Sequence, residues 1–353
     1  MLEHSDEDGS VYTDSGDWNE DYNSFDDVVA RLDDSEWEAR CAALAALGTL
    51  EPVTLAQYAD PVVERLGDAH ACVRQEALWT LGEMEPAKIA QHGDALIARL
   101  EEDVAQVRHK ALEMLGKLEP VTLAQHANAV VTRLEDDDDA RFEALTTLGK
   151  LTPATLAQYA DPVVERLGDA HWPVRREALR TLGKLEPAAL AQHANAVIAR
   201  LEDDEGEVRC AALTTLVYLE PVTLAQYADP VVERLGDAHW SVRQKALRTL
   251  GELEPAALAQ YADAVIARLE DSAEWVRNTA LTTLTALPLA VTRDIDLTSC
   301  NVRSRLLGRL AWYNYRVRVR VKRIALYWYA LPYRPSGPGH ARDVEAWGRM
   351  VEE

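Results

Sequence analysis

The chain has 353 residues, 48% of them hydrophobic and 27% charged, and a net charge of −22. That is the composition of a chain able to bury a core, and no run reaches the roughly 18 apolar residues of a membrane span. Residues 1–300 carry 26 Lys and Arg against 55 Asp and Glu, a net of −29, so phosphates are repelled and nucleic acid is disfavoured as a partner. Residues 1–24 hold acids but no Lys or Arg and little apolar periodicity, which predicts an unstructured acidic arm. Neither a basic start nor an apolar core marks a secretory leader there. Cys41, Cys72, Cys210 and Cys300 form no CxxC pair or framework spacing, so reduced thiols in an intracellular, cytoplasmic protein are expected.

From about residue 25 to 287 the chain repeats itself. An Arg-Leu pair stands at Arg31, Arg65, Arg99, Arg133, Arg166, Arg200, Arg234 and Arg268, in steps of 34 with a single step of 33. Residues 55–70 recur unchanged at 156–171 and 224–239, the mark of recent duplication. In one copy Leu224, Ala228, Val231 and Leu235 form the stripe of a first helix, and Val242, Ala246, Leu247 and Leu250 that of a second. Asp60, Asp161 and Asp229 precede Pro61, Pro162 and Pro230, which predicts an Asp N-cap where the first helix restarts or kinks. Gly82, Gly183 and Gly251, near the ends of second helices, suit either a C-terminal stop or close packing. The residue missing near Asp139 and Ala140 should disturb the path locally.

Residues 301–353 carry 11 basic groups against 4 acids, and residues 301–342 contain no acid. Leu306, Leu310, Tyr313, Val317, Val321, Ile324, Trp328 and Leu331 step by threes and fours, which predicts a helix ended by Pro332. Three roles fit this basic, aromatic-rich segment. It could cap the last repeat, dock on a partner or an acidic surface, or bind nucleic acid.

Within the repeats an acid stands six residues before an Arg: Asp34 and Arg40, Asp68 and Arg74, Glu102 and Arg108, Asp169 and Arg175, Asp203 and Arg209, Asp237 and Arg243, Asp271 and Arg277. With the following Ala-Leu and Leu-Gly-x-Leu, this pattern resembles the HEAT repeat and its short phycobilin-lyase-like variants, of armadillo type. The resemblance implies an all-α right-handed solenoid of about eight two-helix repeats with a C-terminal capping helix. It also implies a structural ladder of these acids and arginines running from repeat to repeat. The implied domains are an acidic arm (1–24), the array (25–287) and a basic C-terminal helix and tail (288–353).

The same resemblance admits enzymes, so their residues need testing. HEAT-like hydroxylases take a di-iron centre from His-Glu pairs, yet none of the nine histidines is followed by Glu. No phosphate loop, HExxH or nucleophile elbow occurs. The recurring His70, His171 and His239 lack clustered metal-ligand spacing. No catalytic residue, metal or cofactor is therefore expected, and a non-catalytic scaffold for an extended or repeated protein partner is. An accessory subunit of a lyase-type enzyme is the alternative. Candidate contact residues are the turn aromatics and histidines (Trp37, His171, Trp172, His239, Trp240, Trp275) together with variable second-helix positions (Trp79, Arg176, Arg180, Arg248).

Overall fold

The computed structural model describes residues 25–284, 286 and 287. The arm at 1–24 and the segment at 288–353, with its expected capping helix, lie outside them. Among the described residues every regular element is helical. Each repeat ends in a second helix: α1 Trp37–Gly48, α2 Ala71–Gly82, α3 Ala105–Leu115, α4 Asp138–Leu148, α5 Trp172–Leu182, α6 Gly206–Leu216, α7 Trp240–Gly251 and α8 Glu274–Leu284. Before each lies a first-helix stretch and a 3₁₀ turn that begins at the arginine of the Arg-Leu pair. Six first helices open on proline after glutamate and a seventh, at Pro153, follows Thr152. Proline fits there because its missing N–H has no intrahelical partner to lose.

The predicted Asp caps are corrected by the backbone. Asp60 and Asp229 lie inside the helices Ala59–Glu64 and Ala228–Glu233, with Tyr58 and Tyr227 at the N-caps; Asp161 lies inside Ala160–Glu165. The break itself is real: Tyr58, His92, His193, Tyr227 and Tyr261 take φ between −103° and −116° with ψ between 6° and 21°. Proline is not its cause, since the repeats with His92, His193 and Tyr261 break without one. Pro61 and Pro230 stand at the third helical position, where the lost N–H still costs no intrahelical bond. In the fourth repeat the first helix, Pro120–Thr132, runs through unbroken.

The stripes read from the sequence form the core. Leu224, Ala228, Val231, Leu235, Val242, Ala246, Leu247 and Leu250 are each at most 4% exposed. Gly82 answers the packing alternative: a Cβ there would lie 2.7 Å from Met114 Sδ. No described glycine has a positive φ, so none ends its helix in the left-handed conformation.

By contact density the chain divides at Val163 and Val164 into two compact units. In the first, the Arg-Leu arginines reach back one repeat to a leucine carbonyl freed by the 3₁₀ turn: Arg65 to Leu32 O (2.7 Å), Arg99 to Leu66 O (2.6 Å) and Arg133 to Leu100 O (2.8 Å). Buried threonines do the same between second helices, Thr80 Oγ1 to Leu44 O (3.0 Å) and Thr147 Oγ1 to Leu112 O (3.1 Å). The second unit repeats both rows: Arg200, Arg234 and Arg268 each donate at 3.0 Å to Leu167, Leu201 and Leu235. Thr215, Thr249 and Thr283 donate to Leu179, Leu213 and Leu247. These bonds give apolar stacking a fixed register.

Leu213 is fully buried in α6, whereas Val222 is 73% exposed. Leu213→Ala should cost about 2–5 kcal/mol in urea unfolding, and Val222→Ala should stay within about 0.5 kcal/mol. Equal effects would show that the stripe is not what holds the stack.

Candidate interaction surfaces

The acid–arginine pattern builds one edge of each unit. Arg175 Nη1 donates to the carbonyls of Asp169 (2.9 Å) and Ala170 (3.0 Å), fixing the turn of its own repeat. Its Nε and Nη2 then fork onto Asp203 of the next repeat at 2.8 and 2.7 Å. Arg209 to Asp237 (2.7 and 3.0 Å) and Arg243 to Asp271 (both 2.7 Å) repeat the geometry. In the first unit Arg40 forks onto Asp68 and Arg74 meets Glu102 at 2.8 Å. The shortened repeat changes the rung: Arg108 Nε stands 3.5 Å from Asp136, and Nη2 turns to Asp137. Arg277 holds its own turn through Asp271 O (2.7 Å) and Ser272 O (2.9 Å). The side-chain pairs therefore link an arginine to an acid 28 residues ahead, or 29 for Arg108 with Asp137 and for the second partner of Arg175, Asp204 (2.9 Å), and only backbone carbonyls link it to the acid six residues behind.

Asp68, Asp203, Asp237 and Asp271 each also accept a turn amide, as Asp203 does from Glu205 at 3.1 Å and Asp237 from His239 at 2.8 Å. Burial alone would push the carboxyls of Asp68, Asp203, Asp237 and Asp271 upward. The arginine fork and the turn amide outweigh it, and all four are held below the ordinary carboxylate value. Charge-assisted forks of this kind order a turn edge, and nothing in them presents a reactive group.

Beside the ladder, Trp37, Trp172 and Trp240 are the first residues of α1, α5 and α7. Trp37 stacks on His70 of the next repeat, ring centroids 4.2 Å apart and planes 16° from parallel. His239 packs against Gly206 at the same position one repeat on. Arg176 lies over Trp172 at 5.1 Å. The His171 amide donates to Asp169 at 2.8 Å. Among the described residues no group of three or more His, Cys, Asp or Glu is arranged to hold a metal ion. Burial pushes the Cys41 thiol up to about 11, and that of Cys210 upward too, so neither is a nucleophile at neutral pH.

The remaining candidates lie on the outward face of the second helices. Trp79 is 48% exposed with Lys110 Nζ 5.8 Å from its ring, and Arg180 contacts Glu177 at 3.4 Å. In the second unit this face forms an open trough of about 740 Å³ along α6, α7 and α8. Arg248 and Trp275 line it with Tyr218, Lys245, Gln244 and a series of threonines. Trp275 joins this trough because it stands two residues before the ladder arginine, not three like Trp37, Trp172 and Trp240. One residue turns a side chain by about 100° around a helix. The candidate residues thus fall into two sets, a turn edge and a second-helix face, and of the latter only Arg248 and Trp275 line the trough while Trp79 and Arg180 lie outside it. Tyr218 and Lys245 were missed by sequence reasoning; their signal was variation between otherwise similar repeats at two positions, nine residues after the ladder arginine for Tyr218 and two after it for Lys245.

Residues 25–116 match the family model for HEAT repeats. No curated protein matches the sequence. Among solved structures, an engineered protein superimposes with a TM-score of 0.59 at 16% identity, covering 86% of this chain and 88% of that one. Escherichia coli YibA gives 0.50 at 18% identity, covering 73% of this chain and 91% of its own. At such identities the likeness is one of fold.

The depressed ladder carboxyls set a pH dependence. Their stabilisation is complete above the unfolded value of about 3.9 and is lost as pH falls through the lower folded values. The thermal midpoint should therefore fall steeply below about pH 4. Asp203→Asn should cost about 2–4 kcal/mol at pH 7, leaving the buried Arg175 with only the exposed Asp204 carboxylate at 2.9 Å, and little at pH 2. An Asp203→Asn penalty that is the same at both pH values would contradict this assignment.

Proposed function

The chain is a HEAT-repeat protein, and from that premise we propose that it is a non-catalytic scaffold that holds an extended polypeptide along the second-helix face of its C-terminal unit. The observation that carries this reading is the open trough along α6, α7 and α8. It is open to solvent and spans three successive second helices, and it combines the rings of Tyr218 and Trp275 with hydroxyl, amide and cationic groups. Aromatic anchors supply contact area, and the hydroxyls and amides can pair with a bound backbone. Lys245 and Arg248 against Glu252 make the trough locally cationic within an acidic chain, which suits a peptide carrying carboxylates. Net acidity elsewhere disfavours nucleic acid.

Further support comes from what the ladder edge does with its chemistry. Its charged groups are consumed in bonds between and within repeats, which leaves the helix face as the part free to vary. Repeats duplicated from one another would offer related contacts in series, favouring avidity toward an extended partner. Among the described residues no helix is long and apolar enough to cross a membrane.

A peptide-display library panned on the full chain tests the reading. Selected peptides should lose about tenfold or more in affinity with Trp275→Ala and with Arg248→Glu, and should be unaffected by Trp37→Ala. Peptides that bind the Trp275→Ala and Arg248→Glu variants undiminished would overturn it.

A further inference from the structure

The last described repeat is unfinished on its forward face. Seven leucines at one second-helix position, Leu44, Leu78, Leu112, Leu145, Leu179, Leu213 and Leu247, are fully buried, and the eighth, Leu281, is only half-buried. A second row behaves alike: Leu47, Leu81, Leu115, Leu148, Leu182, Leu216 and Leu250 are at most 1% exposed, while Leu284 is half-buried. The ladder stops at the same place. Arg243 forks onto the following repeat, but Arg277 has only its own turn carbonyls among the described residues, which leaves Nε and Nη2 without a carboxylate. An apolar face edged by an unmatched guanidinium is what each earlier repeat offers its successor.

We propose that residues 306–331 of this same chain cover the face formed by Leu281 and Leu284. The last described residue, Leu287, donates its amide to Leu284 O at 3.2 Å, so the following chain starts next to that face. The intervening stretch to Leu306 can span up to about 60 Å, more than enough to fold back. The segment that follows carries one apolar stripe, Leu306, Leu310, Tyr313, Val317, Val321, Ile324, Trp328 and Leu331, long enough to lie along α8. Its cations (Arg309, Arg316, Arg318, Arg320, Lys322 and Arg323) complement a body whose net charge is −29. A terminal unit with a polar outer surface is the general requirement of a stacked array, and here the basic off-stripe positions supply it.

Full-length chain carrying photo-leucine, prepared as an equal mixture of light and nitrogen-15-labelled protein, gives the direct test. Irradiation should join the tryptic peptide 278–293 to peptides within 306–331, in light–light and heavy–heavy pairs alone. Light–heavy pairs would show that a second copy covers the face, and the absence of any join to 306–331 would show that something else does; either overturns the proposal. A second measurement guards against chemical bias. In the full chain, Val317→Asp with Val321→Asp should speed amide exchange at 279–284 at least about tenfold and leave 208–216 unchanged. Unaltered exchange at 279–284 would also overturn it.

Discussion

One arginine fork joins two repeats through three groups at once. Its Nη1 clamps the carbonyls of its own turn, and Nε with Nη2 grips a carboxylate that is itself tied to the amide of the next turn. Apolar helices can slide and rotate against one another at small cost, because dispersion and area burial have no direction. The fork has direction. It fixes where each second helix begins relative to the one before, and with it which leucines meet. The Arg-Leu arginines and the buried threonines add further donors aimed at carbonyls one repeat away, so register is set at the turn edge, at the 3₁₀ turn and within the helix pair.

Those commitments explain where function can and cannot reside. The ladder carboxylates of Asp68, Asp203, Asp237 and Asp271 are paired within the stack, and the thiols of Cys41 and Cys210 are kept protonated by burial. What remains open is the outward face of the second helices, where side chains change from repeat to repeat without disturbing the core. The trough beside Trp275 and Arg248 is the clearest instance. It is on this surface that the proposed scaffold reads its partner, by shape and by pairing.

Much of the fold was legible in the sequence, because apolar periodicity reports directly on burial: each leucine of the stripes at 224–250 proved to be core. The ladder residues were legible as a pattern, but the six-residue spacing concealed that the arginine side chain reaches the acid 28 residues ahead. Bonds to backbone carbonyls, such as Arg65 to Leu32, leave no mark in side-chain chemistry and could not be read. The Asp-Pro signal misled for a related reason. Proline is tolerated anywhere in the first turn, so it marks the neighbourhood of a helix start and not the cap. Trp275 shows the limit most plainly, since a shift of one position moved it from the turn edge to the trough.

The central claim is that the ladder couples neighbouring repeats, and a double-mutant cycle on Arg209 and Asp237 measures that coupling directly. Urea unfolding of the parent chain, Arg209→Met, Asp237→Asn and the double variant should give a coupling energy of about 1.5 kcal/mol or more, falling toward zero below pH 3. A coupling within about 0.3 kcal/mol of zero at pH 7 would mean that apolar stacking alone sets the array and that the ladder is its by-product.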